Sequence, residues 1–279
     1  MIDDFASPTW ADHHTQVSTN LAALFARVSR GLARLAGTLR FSRKTQTMSK
    51  MLLNQTVVVI GGGSGIGAAV ARLASAEGAR VVAISRSGIA PQGVEAIPAD
   101  ACDLHALGSA FATIGPIDHL VHTAGARTAA TALPLLEMDA LSLAFDTKVF
   151  SAIQAVRLAL PHLSAQASIT FTSGQVSRKY GTGSMVKGAV NAAVDAAGRH
   201  LAKELAPRRV NVISPGVVDT PTWGESGSAA RLAFLARVAD ALPVRRVGTP
   251  EDLARAYLFA MTSGFVTGSV IDIDGGGLL

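Results

Sequence analysis

Residues 56–79, TVVVIGGGSGIGAAVARLASAEGA, hold the first side chains and gaps that could do chemistry. The β-branched run from Thr56 to Ile60 reads as a buried strand. It enters a turn carrying Gly61, Gly62, Gly63, Ser64, Gly65, Ile66 and Gly67. Beyond it, Ala69, Val70, Leu73 and Ala74 recur at helical spacing. Strand, glycine turn and helix in that order make a phosphate cradle. Missing side chains let the backbone approach a pyrophosphate, and the first N–H groups and positive dipole end of the helix favour the anion. Gly63-x-Gly65-x-x-Ala68 fits the general dinucleotide pattern. Glycine also marks ordinary turns, but here a strand and a helix flank it.

The next apolar run, RVVAIS, ends at Ser85-Arg86-Ser87. A carboxylate there would bind a ribose 2′-hydroxyl and repel a 2′-phosphate. A cation between two hydroxyls favours the phosphate, which predicts NADP(H) over NAD(H). The alternative for Arg86 is a solvated surface arginine.

Strand patterns cover residues 56–60, 80–85, 94–98, 117–122, 167–172, 209–213 and 269–273. Helical patterns lie between them near 65–77, 103–113, 137–162, 184–205 and 250–261. Such alternation implies an α/β fold, a doubly wound parallel sheet with helices on both faces. Ligands of these sheets bind beyond the carboxyl ends of the strands. The functional residues are therefore expected just after strands.

The 279 residues suffice for one large α/β domain and an appendage. With 49% hydrophobic and 16% charged residues, the chain suits a well-buried core. No apolar run reaches the roughly 18 residues of a membrane span. One cysteine, Cys102, cannot form an internal disulfide, which fits a reducing compartment, and a cytoplasmic location is expected. Residues 1–50 hold seven basic and three acidic side chains, hence +4 of the total +5. The rest is nearly neutral, so the charge gives no argument for nucleic acid. Val17, Leu21, Leu24, Val28, Leu32, Leu35 and Leu39 give residues 1–50 the pattern of an amphipathic helix. It could meet a membrane surface or act in targeting, although Asp3, Asp4 and Asp12 sit badly in a transit peptide. A native start at Met48 or Met51 is the third possibility, leaving residues 51–279 as the nucleotide-binding domain.

Gly61-x-x-x-Gly65-Ile66-Gly67 also resembles the narrower TGxxxGIG turn of the short-chain dehydrogenase/reductase family, with Ile60 in the threonine position. Four further segments follow in the family's order. Asp100-Ala101 resembles the segment whose acid contacts the adenine edge, though it could equally be a strand-end turn with Asp103 as a helix cap. His122-Thr123-Ala124-Gly125 resembles Asn-Asn-Ala-Gly, with Ala124 and Gly125 small enough to lie beside the cofactor and His122 a structural substitute. Ser214 to Pro221 resembles the Pro-Gly segment that orients the nicotinamide carboxamide, through Pro215, Gly216, Val218 and the Thr220 hydroxyl. TGSVIDIDGG, residues 267–276, resembles the closing strand, and Asp272 and Asp274 there read as sheet-end structure rather than metal ligands. The resemblance spans about residues 52–279. It implies a Rossmann-type sheet of about seven strands, NADP(H), hydride transfer between a small-molecule carbonyl and an alcohol, and a homodimer or homotetramer.

The family usually protonates the forming alkoxide with a tyrosine, assisted by a lysine one helical turn later and a serine on the carbonyl oxygen. Here Lys187 resembles that lysine and Ser173 that serine, but Gly183 holds the tyrosine position. The interval from Ser173 to Lys187 is shortened, and Lys148 replaces the family's usual asparagine in the preceding long helix. Three readings are open. Tyr180 reaches in from the shortened loop; or Lys148, Lys187 or water is the acid while Ser173 orients the substrate; or the chain binds NADP(H) without redox chemistry, as a sensor or partner-binding protein. The substrate pocket is expected from the loop after Ser173, residues 126–130 and residues 222–242. Trp223, Leu232, Phe234 and Leu235 in the last stretch suit an apolar ligand or a lid packed on the core.

Overall fold

Seven strands form where the apolar runs predict them. They are β1 (Thr56–Ile60), β2 (Arg80–Ser85), β3 (Glu95–Pro98), β4 (Ile117–His122), β5 (Leu163–Thr172), β6 (Arg209–Pro215) and β7 (Val270–Ile273). All neighbours pair in parallel, in the order β3-β2-β1-β4-β5-β6-β7. This computed structural model describes residues 50–279 except 126 and 127, and within residues 1–49 only Val28 and Ser29, which are helical. The chain divides into two units, Met1–Ser49 and Lys50–Leu279. The amphipathic pattern of residues 1–50 otherwise falls outside the described residues.

The helices are α1 (Gly65–Ala76), α2 (Leu104–Ile114), α3 (Met138–Phe145), α4 (Ser151–Ala159), α5 (Met185–Glu204), α6 (Ala229–Ala241) and α7 (Pro250–Thr262). Burial divides into two layers, one on each sheet face. Val58, Ile60, Leu120, Ile169 and Phe171 pack with α2, α4 and α5. Val57, Val59, Val121 and Ile213 pack with α1 and α7. Strands buried on both faces explain the unbroken Val and Ile runs. The chain leaves β1 toward β2 on one side and lies beside β4 on the other, so the sheet's topological switch point sits above Ile60.

Three elements depart from the sequence expectation. The single long helix over 137–162 is broken by a π-turn at Asp146–Phe150. There Thr147 Oγ1 donates to Leu143 O at 2.7 Å, and Ser151 Oγ donates to Thr147 O at 2.8 Å, so hydroxyls compete with the backbone ladder. β5 begins at Leu163, because the register against β4 shifts between Ile117 and His119 and admits the extra residues. Residues 229–241 form α6, which the sequence reading left as an unspecified lid.

Candidate active site

Four strand ends converge. After β1, Gly61 takes φ +85° and Gly65 φ +51°, conformations costly for residues with a Cβ. A Cβ on Gly67 would stand 2.2 Å from Gly61 O and 2.5 Å from Thr123 Oγ1, so this glycine lets α1 close onto β1 and β4. Ser64 precedes α1 in extended backbone and its hydroxyl makes no capping bond. No side chain caps the first amides of α1, leaving them to an anion. Across the cleft, Thr220 Cγ2 lies 3.5 Å from where a Gly65 Cβ would be. The glycine turn and the Pro-Gly segment, distant in sequence, thus face each other.

The end of β2 forms the adjoining wall. A Cβ on Gly63 would meet Ser85 Oγ at 3.0 Å. The Ser85 hydroxyl donates to Ile89 O at 3.1 Å, while Ser87 Oγ accepts from Ile89 N at 3.3 Å, so both serines build the turn that presents Arg86. Arg86 is exposed and forms no ion pair among the described residues. Asp100, also exposed, accepts from Cys102 N at 2.9 Å. Asp103 caps α2 by accepting from His105 N and Ala106 N. The turn-and-cap reading of this segment is therefore realised in the chain's own bonds, with Ala101 half-buried beside it.

Beyond β4, Ala124 is half-buried and Gly125 exposed. His122 is buried, and its Nε2 donates to Ser151 Oγ at 3.1 Å, since that hydroxyl's own proton goes to Thr147 O. Burial, and secondarily the Lys148 charge, lowers the His122 pKa to about 4. It is a neutral strut under the π-turn, as its structural reading holds.

The π-turn aims Lys148 across the sheet edge. Its stem runs beside Gly125, with Cδ 3.6 Å from that residue's Cβ direction, and Nζ donates to Ser173 O at 3.0 Å. Lys148 is half-buried. Desolvation lowers its pKa to about 8, Asp195 opposes that shift and Lys187 adds to it. Ser173 is buried and its Oγ has no hydrogen-bond partner among the described residues. Lys187, half-buried with its pKa lowered by desolvation, lies 5.9 Å from the Trp223 ring. Ser173, Lys148 and Lys187 therefore share one site.

Tyr180 does not join them. It is 90% exposed. The two preceding residues are tied elsewhere: Arg178 pairs with Asp272, and Lys179 Nζ donates to Gly277 O at 2.8 Å. These anchors turn the next side chain outward, so the expected inward reach of Tyr180 is corrected. The other tyrosine, Tyr257, lies buried in the opposite layer, its hydroxyl 2.6 Å from Thr172 Oγ1. Burial raises its pKa further above the phenol range. Gly183 takes φ +75° against the backbone of Ala130 and Thr131, a place ill-suited to any tyrosine.

The lid is packed rather than open. Trp223 stacks on Phe234 at 4.7 Å and donates from Nε1 to Val218 O at 2.8 Å. Arg231, itself buried, pairs with Asp219 and donates to Gly224 O, and Leu235 is buried while Leu232 is exposed. Of the expected pocket residues 126–130, the first two lie outside the described residues. At the sheet end, Asp272 binds Arg178 and Asp274 accepts from Gly276 N and Leu278 N, which is structural use of both carboxylates. Among the described residues, no helix is long and apolar enough to cross a membrane.

A family model described as enoyl-(acyl carrier protein) reductase matches residues 61–277. The chain is 34% identical over 249 residues to the short-chain dehydrogenase/reductase ATR9 of Stachybotrys chlorohalonatus, covering 81% of this chain and 97% of that one. Against L-xylulose reductase of Bos taurus it is 31% identical over 249 residues, covering 82% and 98%. A crystal structure of a small-chain dehydrogenase in complex with NADPH superposes with a TM-score of 0.75 at 40% identity, covering 81% of this chain and 99% of that one. A short chain dehydrogenase from Burkholderia cenocepacia in complex with NADP gives 0.71 at 28% identity, covering 81% and 98%. Glycine turn, sheet order and these likenesses agree: the chain belongs to the short-chain dehydrogenase/reductase family.

Proposed function

We propose that the protein is an NADP(H)-dependent oxidoreductase that interconverts a small-molecule carbonyl and an alcohol, with Lys148 in place of the missing tyrosine as the proton donor. The residues present fit the cofactor. The uncapped start of α1 suits a pyrophosphate, Arg86 without a carboxylate partner suits a 2′-phosphate, and Thr220 faces Gly65 across the cleft. Complexes of similar proteins with NADPH and NADP support the same cofactor. When bound, NADPH supplies the hydride.

The chain's residues supply the rest. Ser173 Oγ, buried and unpartnered, is free to donate to a carbonyl oxygen. Lys148 holds a proton at Nζ beside the same residue, and Lys187 adds a second cation that stabilises developing negative charge. A lysine with a pKa of about 8 is charged at neutral pH yet releases its proton readily. The observation that carries the proposal is the placement of Lys148 Nζ 3.0 Å from Ser173 O while Tyr180 faces solvent. Exposed Met138, Leu143 and Phe150 on the α3–α4 segment support self-association into a homodimer or homotetramer. The absence of a tyrosine also supports the second reading, a binding protein without turnover.

The test mixes purified protein with NADPH and a panel of ketones, aldehydes and quinones and follows loss of the reduced cofactor. Lys148→Met is expected to lower kcat/KM by about 100-fold or more, and Tyr180→Phe to stay within about twofold. Carbonyl reduction should decline as pH rises through about 8, where Lys148 loses its proton. A loss of about 100-fold in Tyr180→Phe overturns the assignment. Tight NADPH binding with no turnover on any carbonyl supports the binding protein instead.

A further inference from the structure

Beside the Ser173 hydroxyl, which the proposed reaction uses, lie four buried polar groups that it does not. Ser173 Oγ, Gln175 Oε1, Ser177 Oγ, Asn191 Oδ1 and Asp195 Oδ1 are all buried and have no hydrogen-bond partner among the described residues. They belong to two pieces of backbone only. Residues 173–177 follow β5, and Asn191 and Asp195 stand one turn apart on the face of α5 that packs against them. Asn191 Nδ2 lies 2.9 Å from the Cβ direction of Gly174, and Val176 O lies 3.2 Å from that of Gly188. Asn191 therefore abuts the residue next to Ser173, whose carbonyl receives the Lys148 proton at 3.0 Å.

Buried polar oxygens without a protein partner bind water, because leaving them dry is costly. A buried carboxylate is costlier still unless a cation compensates it. The charged groups around the Lys148 ammonium are Asp195 and Lys187 from α5, with His122 from β4 neutral; Arg178, beyond the cluster, also feels Asp195. Among the described residues, Asp195 is the anion whose charge acts on the Lys148 ammonium.

We infer that Asp195 is a positioning residue for Lys148: its carboxylate, linked through the Asn191 amide and enclosed water, keeps the ammonium charged and held at Ser173. This rests on the proposed role of Lys148 for its functional meaning, but the electrostatic link is measurable without turnover. Lysine side chains of the full-length protein would be labelled with carbon-13 at Cε and titrated by NMR, with Lys148→Met identifying the resonance. Asp195→Asn should lower the Lys148 midpoint by about one pH unit or more, and Asp195→Glu should largely restore it. A purely structural role for Asp195 would alter unfolding without moving that midpoint. Should Asp195→Asn not fold, Asn191→Asp, which places a second carboxylate on the same face, should raise the midpoint instead.

An unmoved midpoint in the folded variant, or in Asn191→Asp where that substitutes for it, overturns the inference. A moved midpoint with an unmoved basic limb of the carbonyl-reduction pH profile upholds the inference and removes Lys148 from the proton-donor role.

Discussion

Ser173 is a buried hydroxyl with no bonding partner among the described residues. A group kept in that state serves a ligand better than it serves folding. Ser173→Ala should therefore cost little stability, and thermal unfolding should move by no more than a few degrees. The same change should lower kcat/KM for carbonyl reduction by about 100-fold, as for loss of one donor to a developing oxyanion, while NADPH affinity is held. Ser173 and Lys187 were picked out in the sequence by their resemblance to the family's serine and lysine segments, and the structure brings the two into one site. The orientation of Tyr180 was not legible in the sequence. It depends on Arg178 reaching Asp272, 94 residues away, and such a bond leaves no local pattern. Lys148 was visible as a replacement for asparagine, but its bond to Ser173 O depends on the π-turn, which periodicity alone does not reveal.

At the scale of elements, the turn after β2 is the part we propose to choose the cofactor. Ser85 and Ser87 spend their hydroxyls on holding Ile89, so Arg86 is left as the group able to discriminate a 2′-phosphate. Arg86→Ala should weaken NADPH binding by about 10- to 100-fold, the worth of a charge-assisted bond, and leave NADH nearly unaffected. Isothermal titration with both nucleotides measures this, and equal losses for the two would refute it. The central strands β1, β2, β4, β5 and β6 were readable because buried parallel strands carry apolar runs on both faces. The α6 helix was not, since Gly224 and Gly227 precede it and its buried residues include an arginine, Arg231. The pairing with Asp219 that makes that burial tolerable is a tertiary fact.

Across the whole molecule, two buried histidines tie stability to pH. His119 bridges Ser168 Oγ at 2.7 Å and Gln55 Oε1 at 2.9 Å, and burial lowers its pKa to about 4, as it does for His122. The unfolded chain takes up these protons near pH 6.5, whereas the folded chain resists until about 4. Their neutral forms thus support the fold fully above about pH 6.5, and that support drains away as pH falls toward 4. Urea midpoints should fall between pH 7 and pH 5, and a flat profile would contradict the burial of both rings.

The contact between Lys179 and Gly277 O makes the chain's end a guy rope for the active-site loop. The backbone N–H groups of Gly276 and Leu278 donate to the Asp274 carboxylate and hold that segment in turn. Trimming residues 277–279 should slacken residues 178–184 and make Lys179 a ready trypsin cut, detectable by mass spectrometry while the sheet stays intact. Substitutions around Gly277 therefore reach the reacting atoms through that loop, so distance from them is no guarantee of neutrality.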